Sequence, residues 1–263
     1  MTNEPVRYEQ DGGLATITFN RPDAMNALDT ATKEALRTAV VQAAEDSTVR
    51  CVLLTGTGRA FCVGQDLREH IGLLRAGDES LWRTVPEHYN PVAKTLATMP
   101  KPVVAALNGV AAGAGASIAM AADIRVVAES AGFNLAFAGI ALSCDTGSSW
   151  WLPRLVGMAK AKELLMMPRT VKAEEALRLG LATEVVPDDK LTERGLEIAR
   201  MLADGPTQAY AALRQSVVYS VAHDLESSLD REAELMALTG GTADHHEAVD
   251  AFVAKRKPDF SGR

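Results

Sequence analysis

Apolar and polar positions follow two different periods along this chain. Residues 14–19 (LATITF) alternate and are β-rich, which predicts a strand. Asn20-Arg21-Pro22-Asp23 ends it as a turn. Asp29 or Thr30 then caps a helix running to about Ala44, with Ala35, Leu36, Ala39, Val40 and Ala43 on its apolar side. Residues 51–55 (CVLLT) form a short apolar run, read as a buried strand, and Gly56-Thr57-Gly58-Arg59 breaks it. Residues 81–99 read as one mostly helical segment after a polar stretch near 75–80, and Pro100 and Pro102 stop it. Residues 103–107 and 124–127 are further buried strands, with a helix of small residues over 114–122 between them. Strands alternating with helices predict an α/β fold.

From Gly147 onward the pattern is almost wholly helical. Segments are expected at 148–155, 159–166, 173–179, 188–203, 207–222, 224–238 and 244–254, with one short strand at 183–186. No low-complexity linker or tandem repeat divides the chain. The expected organisation is an α/β core over residues 1–200 and a helical C-terminal part over 201–263.

Composition narrows the function. The 263 residues are 47% hydrophobic and 23% charged, enough apolar material for a sizeable core. Lys and Arg number 27 against 34 Asp and Glu, a net charge of -7 with no basic stripe, which argues against nucleic acid as a partner. That balance also repels an anionic ligand at long range, so a phosphate-bearing ligand needs local Lys and Arg or a helix N-terminus. Cys51, Cys62 and Cys144 are odd in number and unpaired in spacing, against a disulfide framework or zinc site and in keeping with a reducing compartment. The polar start MTNEPVRYEQDGG has no apolar signal core, and the longest apolar stretch, near 103–122, is broken by Asn108 and several glycines. The expectation is a cytoplasmic protein that does not cross a membrane.

Three segments carry candidate chemistry. The first, Gly58 to Leu67, turns from a strand through glycine to Asp66, which can cap the next helix. Backbone N–H groups at a helix start lack intrahelical partners and can receive negative charge developing on an oxygen. The second, Asn108 to Ser117, runs from a strand through small residues into a helix, which lets a ligand approach the backbone. Its Gly113-Ala114-Gly115 is a lone GxG without the rest of a dinucleotide fingerprint. The third, Leu142 to Arg154, places Asp145 between an apolar segment and a helix. Two readings of Asp145 stay open: a helix cap, or a buried acid whose raised pKa suits proton transfer.

Taken in order, Asn20-Arg21-Pro22, Met25-Asn26-Ala27-Leu28, Ala60-Phe61-Cys62-Val63-Gly64-Gln65-Asp66-Leu67, residues 101–109 (KPVVAALNG) and residues 251–258 (AFVAKRKP) resemble the crotonase (enoyl-CoA hydratase/isomerase) superfamily over nearly the whole chain. Within it, Tyr89-Asn90-Pro91, residues 109–116 and the Asp145 segment are most similar to the ring-epoxide isomerase (1,2-epoxyphenylacetyl-CoA isomerase) type of phenylacetyl-CoA degradation. The resemblance implies a spiral of ββα units with a helical C-terminal part for trimer formation, as a homotrimer or dimer of trimers. It implies an acyl-CoA thioester as substrate, no cofactor beyond that coenzyme A, and no metal. The N–H groups of Gln65 and Ala114 would form an oxyanion hole. The coenzyme would lie along Met25, Ala27 and Val63, beside Gln65, Asp66 and Leu67, with Phe137 near the acyl group. Lys255 or Arg256 of a neighbouring subunit would meet its phosphates.

Departures from the family pattern bear on the reaction. Hydratases of the family use two glutamates to activate and orient water; the matching positions here are Ser117 and Phe137. Asp145 remains, at the position of the acid used by the epoxide isomerase and several double-bond isomerases. One acid shuttling one proton suits isomerisation better than water addition. The alternatives are a hydratase with Asp145 as sole acid and a non-catalytic acyl-CoA binder. His88 is read as a surface residue near the pocket, His223, His245 and His246 as solvent-facing, and Trp150-Trp151 as core. Leu73, Leu74, Trp82, Tyr89 and Phe137 are the expected pocket walls.

Overall fold

The computed structural model describes residues 4–263; Met1, Thr2 and Asn3, the start of the polar N-terminal stretch, lie outside the described residues. Ten strands form two sheets among these residues. The larger contains β1 (Val6–Asp11), β2 (Leu14–Phe19), β3 (Cys51–Gly56), β5 (Val103–Leu107), β7 (Ile124–Ala128) and β10 (Glu184–Val186), in that order. The smaller contains β4 (Ala60–Cys62), β6 (Val110–Ala112), β8 (Gly132–Asn134) and β9 (Thr170–Lys172). β1 is antiparallel to β2 and β9 to β8; the other neighbours are parallel.

Each turn of the chain gives one strand to each sheet, as β3 then β4, β5 then β6, and β7 then β8. This is the ββα spiral. β5 is buried along its whole length, and β3 and β7 nearly so, as parallel strands covered on both faces require. The three-residue strands of the smaller sheet are too short for a periodicity to reveal. β1 also escaped the sequence reading, because it is only buried at Val6 and grades to exposed.

Helices α1 (Thr30–Glu45) and α2 (Leu67–Ala76) start where expected. The Asp29 carboxylate accepts from the Thr32 N–H at 2.9 Å, and Asp66 accepts from the Arg68 and Glu69 N–H groups at 3.0 and 3.4 Å. The expected single helix over 81–99 is instead α3 (Ser80–Thr84), a π-helical turn (Val85–Tyr89) and α4 (Asn90–Thr98). Pro86 and Pro91 lack the N–H that a continuous α-helix would use, and the ladder shifts at the turn.

α5 (Ala114–Met120) is entirely buried. Next come α6 (Ser148–Val156), α7 (Met158–Met166), α8 (Ala173–Leu179) and α9 (Leu191–Ala203). The chain ends in α10 (Thr207–Ser220), α11 (Leu225–Gly240) and α12 (Ala243–Ala254). No described helix is long and apolar enough to cross a membrane.

Candidate functional site

Two loops between the sheets and their helices meet at one point. Gly64 has φ 80°, and Gly113 has φ 51° with ψ -124°, backbone states that residues with a Cβ rarely adopt. Each glycine precedes a residue whose N–H is turned away from secondary structure. Leu28 pairs with Gln65 as a parallel bridge: Leu28 N–H donates to the Gly64 carbonyl at 2.8 Å and Asp66 N–H to the Leu28 carbonyl at 3.1 Å. The Gln65 N–H therefore points to the other side. Ala114 is the first residue of α5, where an N–H has no intrahelical acceptor. Neither N–H donates to a backbone or side-chain acceptor among the described residues.

The loop over Pro22–Ala27 is held by Asn26. It is fully buried, accepts from the Arg21 N–H at 2.8 Å, and donates to the carbonyls of Thr57, Ala60 and Phe61 at 3.0, 2.8 and 3.1 Å. Asn26 and Met25 have φ 57° and 53°; asparagine tolerates that state better than most residues. Asn26 belongs to the Met25-Asn26-Ala27-Leu28 motif, and nothing in its sequence context points to this role.

A cavity of about 850 Å³ is lined by both Gln65 and Ala114. It brings together Met25, Ala27, Val63, Gln65, Asp66, Leu67, Ala114, Phe137 and Asp145. It is also lined by Arg21, Arg59 and Arg68. Arg21 is held in ion pairs with Asp29 and Asp66 at 3.0 and 3.1 Å, whereas Arg59 and Arg68 have no side-chain partner among the described residues. The net charge signalled a need for local cations but could not say which.

Leu81, Trp82, Val85 and Tyr89 wall the cavity; Leu73 and Leu74, expected there, do not. Only the first turn of α2 faces inward, and Leu74 lies more than half exposed. Nor does either of Trp150 and Trp151 line it. Burial lowers the His88 imidazole below its ordinary pKa, with help from Lys33 and Arg37; the residue is partly exposed, beside the Thr84 hydroxyl and outside the cavity lining. Arg256, expected to meet a neighbour's substrate, is paired in its own chain through both terminal nitrogens to Glu247, at 2.5 and 2.8 Å.

Asp145 is half-buried and does not cap α6. The cap residue is Gly147, with no side-chain bond, and the Ser148 N–H donates to the main-chain carbonyl of Asp145 at 2.9 Å. Its Oδ1 accepts from the Thr146 hydroxyl at 2.7 Å. Burial raises its carboxyl above the ordinary value, and the Thr146 bond offsets part of the rise. The Tyr89 phenol, 2% exposed, is raised well above its usual range by burial and then by the charge of Asp145, so the two share one environment. Tyr89 donates to Oε1 of Gln65 at 2.6 Å, and the buried Lys33 ammonium reaches the same oxygen at 3.4 Å.

The two positions where an acid is missing behave differently. Phe137 lines the cavity beside Gly113. Ser117 is fully buried, outside the cavity lining, with its hydroxyl on Gly113 and Ser148. Cys62, beneath the first loop, is a free thiol pushed up to about 12 by burial and offers no thiolate at neutral pH.

Against known proteins, the family model described as enoyl-CoA hydratase/isomerase matches residues 9–263. A Rhodobacter capsulatus protein named "Probable enoyl-CoA hydratase" is 42% identical over 263 residues, covering 100% of both chains. The 1,2-epoxyphenylacetyl-CoA isomerase of Escherichia coli is 39% identical over 251 residues, 95% of this chain and 96% of that one. A crystal structure from Mycobacterium abscessus, provisionally described as an enoyl-CoA hydratase/isomerase, has a TM-score of 0.95 at 40% identity, covering 98% of this chain and 100% of that chain.

Proposed function

The chain belongs to the enoyl-CoA hydratase/isomerase family, and from that premise we propose that it is an acyl-CoA isomerase with Asp145 as its acid–base group. The thioester oxygen accepts hydrogen bonds from the N–H groups of Gln65 and Ala114. The Asp145 carboxylate takes a proton from the carbon next to the thioester. The electron pair of that C–H bond becomes an enolate, whose charge rests on the oxygen between the two donors. Asp145 then returns the proton two carbons further along, moving a double bond from the 3 to the 2 position. The same enolate-stabilising site would serve the rearrangement of a ring epoxide, the reaction type named for the Escherichia coli relative. Each donor of such a pair contributes roughly 3–4 kcal/mol to the transition state.

The observation that carries this reading is Asp145 itself: a half-buried carboxyl, free of any capping role, on the same cavity as both donors. Ser117 and Phe137 supply no second acid to place water. A hydratase with Asp145 alone is the second reading, favoured by the name of the 42% identical relative. The discriminating experiment offers trans-3-hexenoyl-CoA, crotonyl-CoA and 1,2-epoxyphenylacetyl-CoA in turn, in deuterated and in ¹⁸O-labelled water. Isomerised product free of ¹⁸O supports the proposal, its deuterium content reporting how far Asp145 exchanges its proton with water before returning it; a 3-hydroxyacyl product carrying ¹⁸O as the main outcome overturns it.

Assembly as a trimer is part of the same proposal. Met236, Phe252 and Val253 on the C-terminal helices are 73%, 84% and 76% exposed in the single chain, which supports their burial against other copies.

A further inference from the structure

The structure assigns Ser117 and Ser148 to the oxyanion hole as positioning residues: a two-hydroxyl relay that holds and polarises the peptide whose N–H belongs to Ala114. This rests on the proposed oxyanion hole. The peptide bond in question joins Gly113 to Ala114. Its nitrogen is the donor, and its oxygen is the Gly113 carbonyl. That oxygen accepts the Ser117 N–H at 3.1 Å and the Ser117 hydroxyl at 3.2 Å.

The direction of the protons follows from the acceptor. If Ser117 donated to Ser148, the Ser148 proton would have no acceptor among the described residues, so the order that uses both protons has the Ser117 hydroxyl donating to the Gly113 carbonyl. The contact between the Ser117 and Ser148 hydroxyls then has one polarity, with Ser148 donating to Ser117. A chain of hydroxyls running Ser148, Ser117, Gly113 carbonyl is ordered head to tail, and such chains strengthen their members in a low-dielectric setting. Drawing electron density onto the carbonyl oxygen makes the N–H at the other end of the same peptide a better donor.

Three further facts single this relay out. Both serines have no solvent exposure, so no competing water weakens the bonds. Gly113, with φ 51° and ψ -124°, has no Cβ to restrict its backbone, and the two bonds from Ser117 hold the carbonyl of its peptide in one orientation. Ser148 also carries the N–H that holds the Asp145 carbonyl at 2.9 Å, so the relay joins the donor peptide to the turn bearing the acid. A serine hydroxyl bonded four residues back in a helix is by itself a common packing device. The buried second hydroxyl and the identity of the accepting peptide are what give it a role here.

The test uses acetoacetyl-CoA, a thioester that ionises to an enolate with strong near-ultraviolet absorbance and needs no proton transfer by Asp145. The enolisation of the bound ligand is titrated in the full-length wild type, Ser117→Ala, Ser148→Ala and the double variant, with affinity for free coenzyme A and thermal midpoints measured alongside. The expected result for Ser117→Ala is an enolisation constant about two- to tenfold lower than wild type, the scale of one lost hydrogen bond, with coenzyme A affinity unchanged. Ser148→Ala should lower it less, and the double variant should match Ser117→Ala, because Ser148 acts through Ser117. If the wild type promotes enolisation and Ser117→Ala does so equally, the relay is overturned while the oxyanion hole stands. If the two serines act additively, or the loss tracks only the thermal midpoint, the relay is overturned as well. If the wild type does not promote enolisation at all, the oxyanion hole and the relay fall together.

Discussion

Gly64 packs so closely on Ala114 that a β-carbon at position 64 would lie 3.1 Å from the Ala114 nitrogen and 2.8 Å from the Ala112 carbonyl oxygen. One glycine therefore does two things. Its φ of 80° sets the turn before Gln65, and its missing side chain lets the Ala114 peptide approach.

Gly64→Ala should break both. The alanine is strained at that φ and collides with backbone, which cannot step aside as a flexible side chain can. We expect a stability loss of about 1–3 kcal/mol and a turnover loss of roughly 100-fold or more, the effect of losing one oxyanion donor. Thermal unfolding and steady-state kinetics on the same preparation check it. Retained turnover would mean that the donors are not set by this contact.

Asp145→Asn keeps the shape of the side chain and the acceptor for the Thr146 hydroxyl, but removes the exchangeable acid. Turnover should fall about 10²- to 10⁴-fold, while affinity for a non-reacting CoA thioester stays within about twofold. Isothermal titration beside kinetics separates the two.

The same carboxyl should leave a signature in stability against pH. Its folded pKa is raised by burial from an ordinary 3.8. Below 3.8 both states hold the proton and the group costs nothing. Between 3.8 and the raised folded value the native state binds more protons than the unfolded chain, so stability falls as pH rises; above the folded value the loss is complete. The thermal midpoint of Asp145→Asn minus that of wild type should therefore grow from about pH 3.8 upward and then level off. A difference flat across about pH 3 to 8 would contradict the raised value.

Arg59 and Arg68 line the cavity without side-chain partners among the described residues. Replacing each by Ala should raise KM for an acyl-CoA about two- to fivefold, with kcat unchanged, since exposed charge pairs are individually modest. The same acyl group carried on pantetheine, which lacks the nucleotide phosphates, should show no change. Added salt should shrink the effect in the wild type.

Part of this site was legible in the chain, through the run of family motifs rather than through either loop alone. Strand, glycine and helix start follow one another within a few residues at Gly64-Gln65 and again at Gly113-Ala114, but ordinary strand-to-helix loops share that order, so only the full set of motifs points to Gln65 and Ala114. The caps at Asp29 and Asp66 read correctly because capping is local. The absence of carboxylates at Ser117 and Phe137 is likewise a fact of sequence.

Tertiary structure alone settled what depends on partners distant in the chain. Whether Asp145 caps α6 or stands free is a matter of side-chain direction, and spacing allowed either. The helix over 81–99 divides at Pro86, yet only packing of the π-helical turn explains why Tyr89 arrives at Gln65, 24 residues away in sequence. The partner of Ser117 is Ser148, 31 residues on, brought near because α5 and α6 pack against each other. Backbone conformation is written residue by residue, so the sequence determined the glycine turns before Gln65 and Ala114. Burial and hydrogen-bond partnership are set by the whole fold, and they decided how the Gly113–Ala114 peptide is held and that Asp145 lines the same cavity without capping α6.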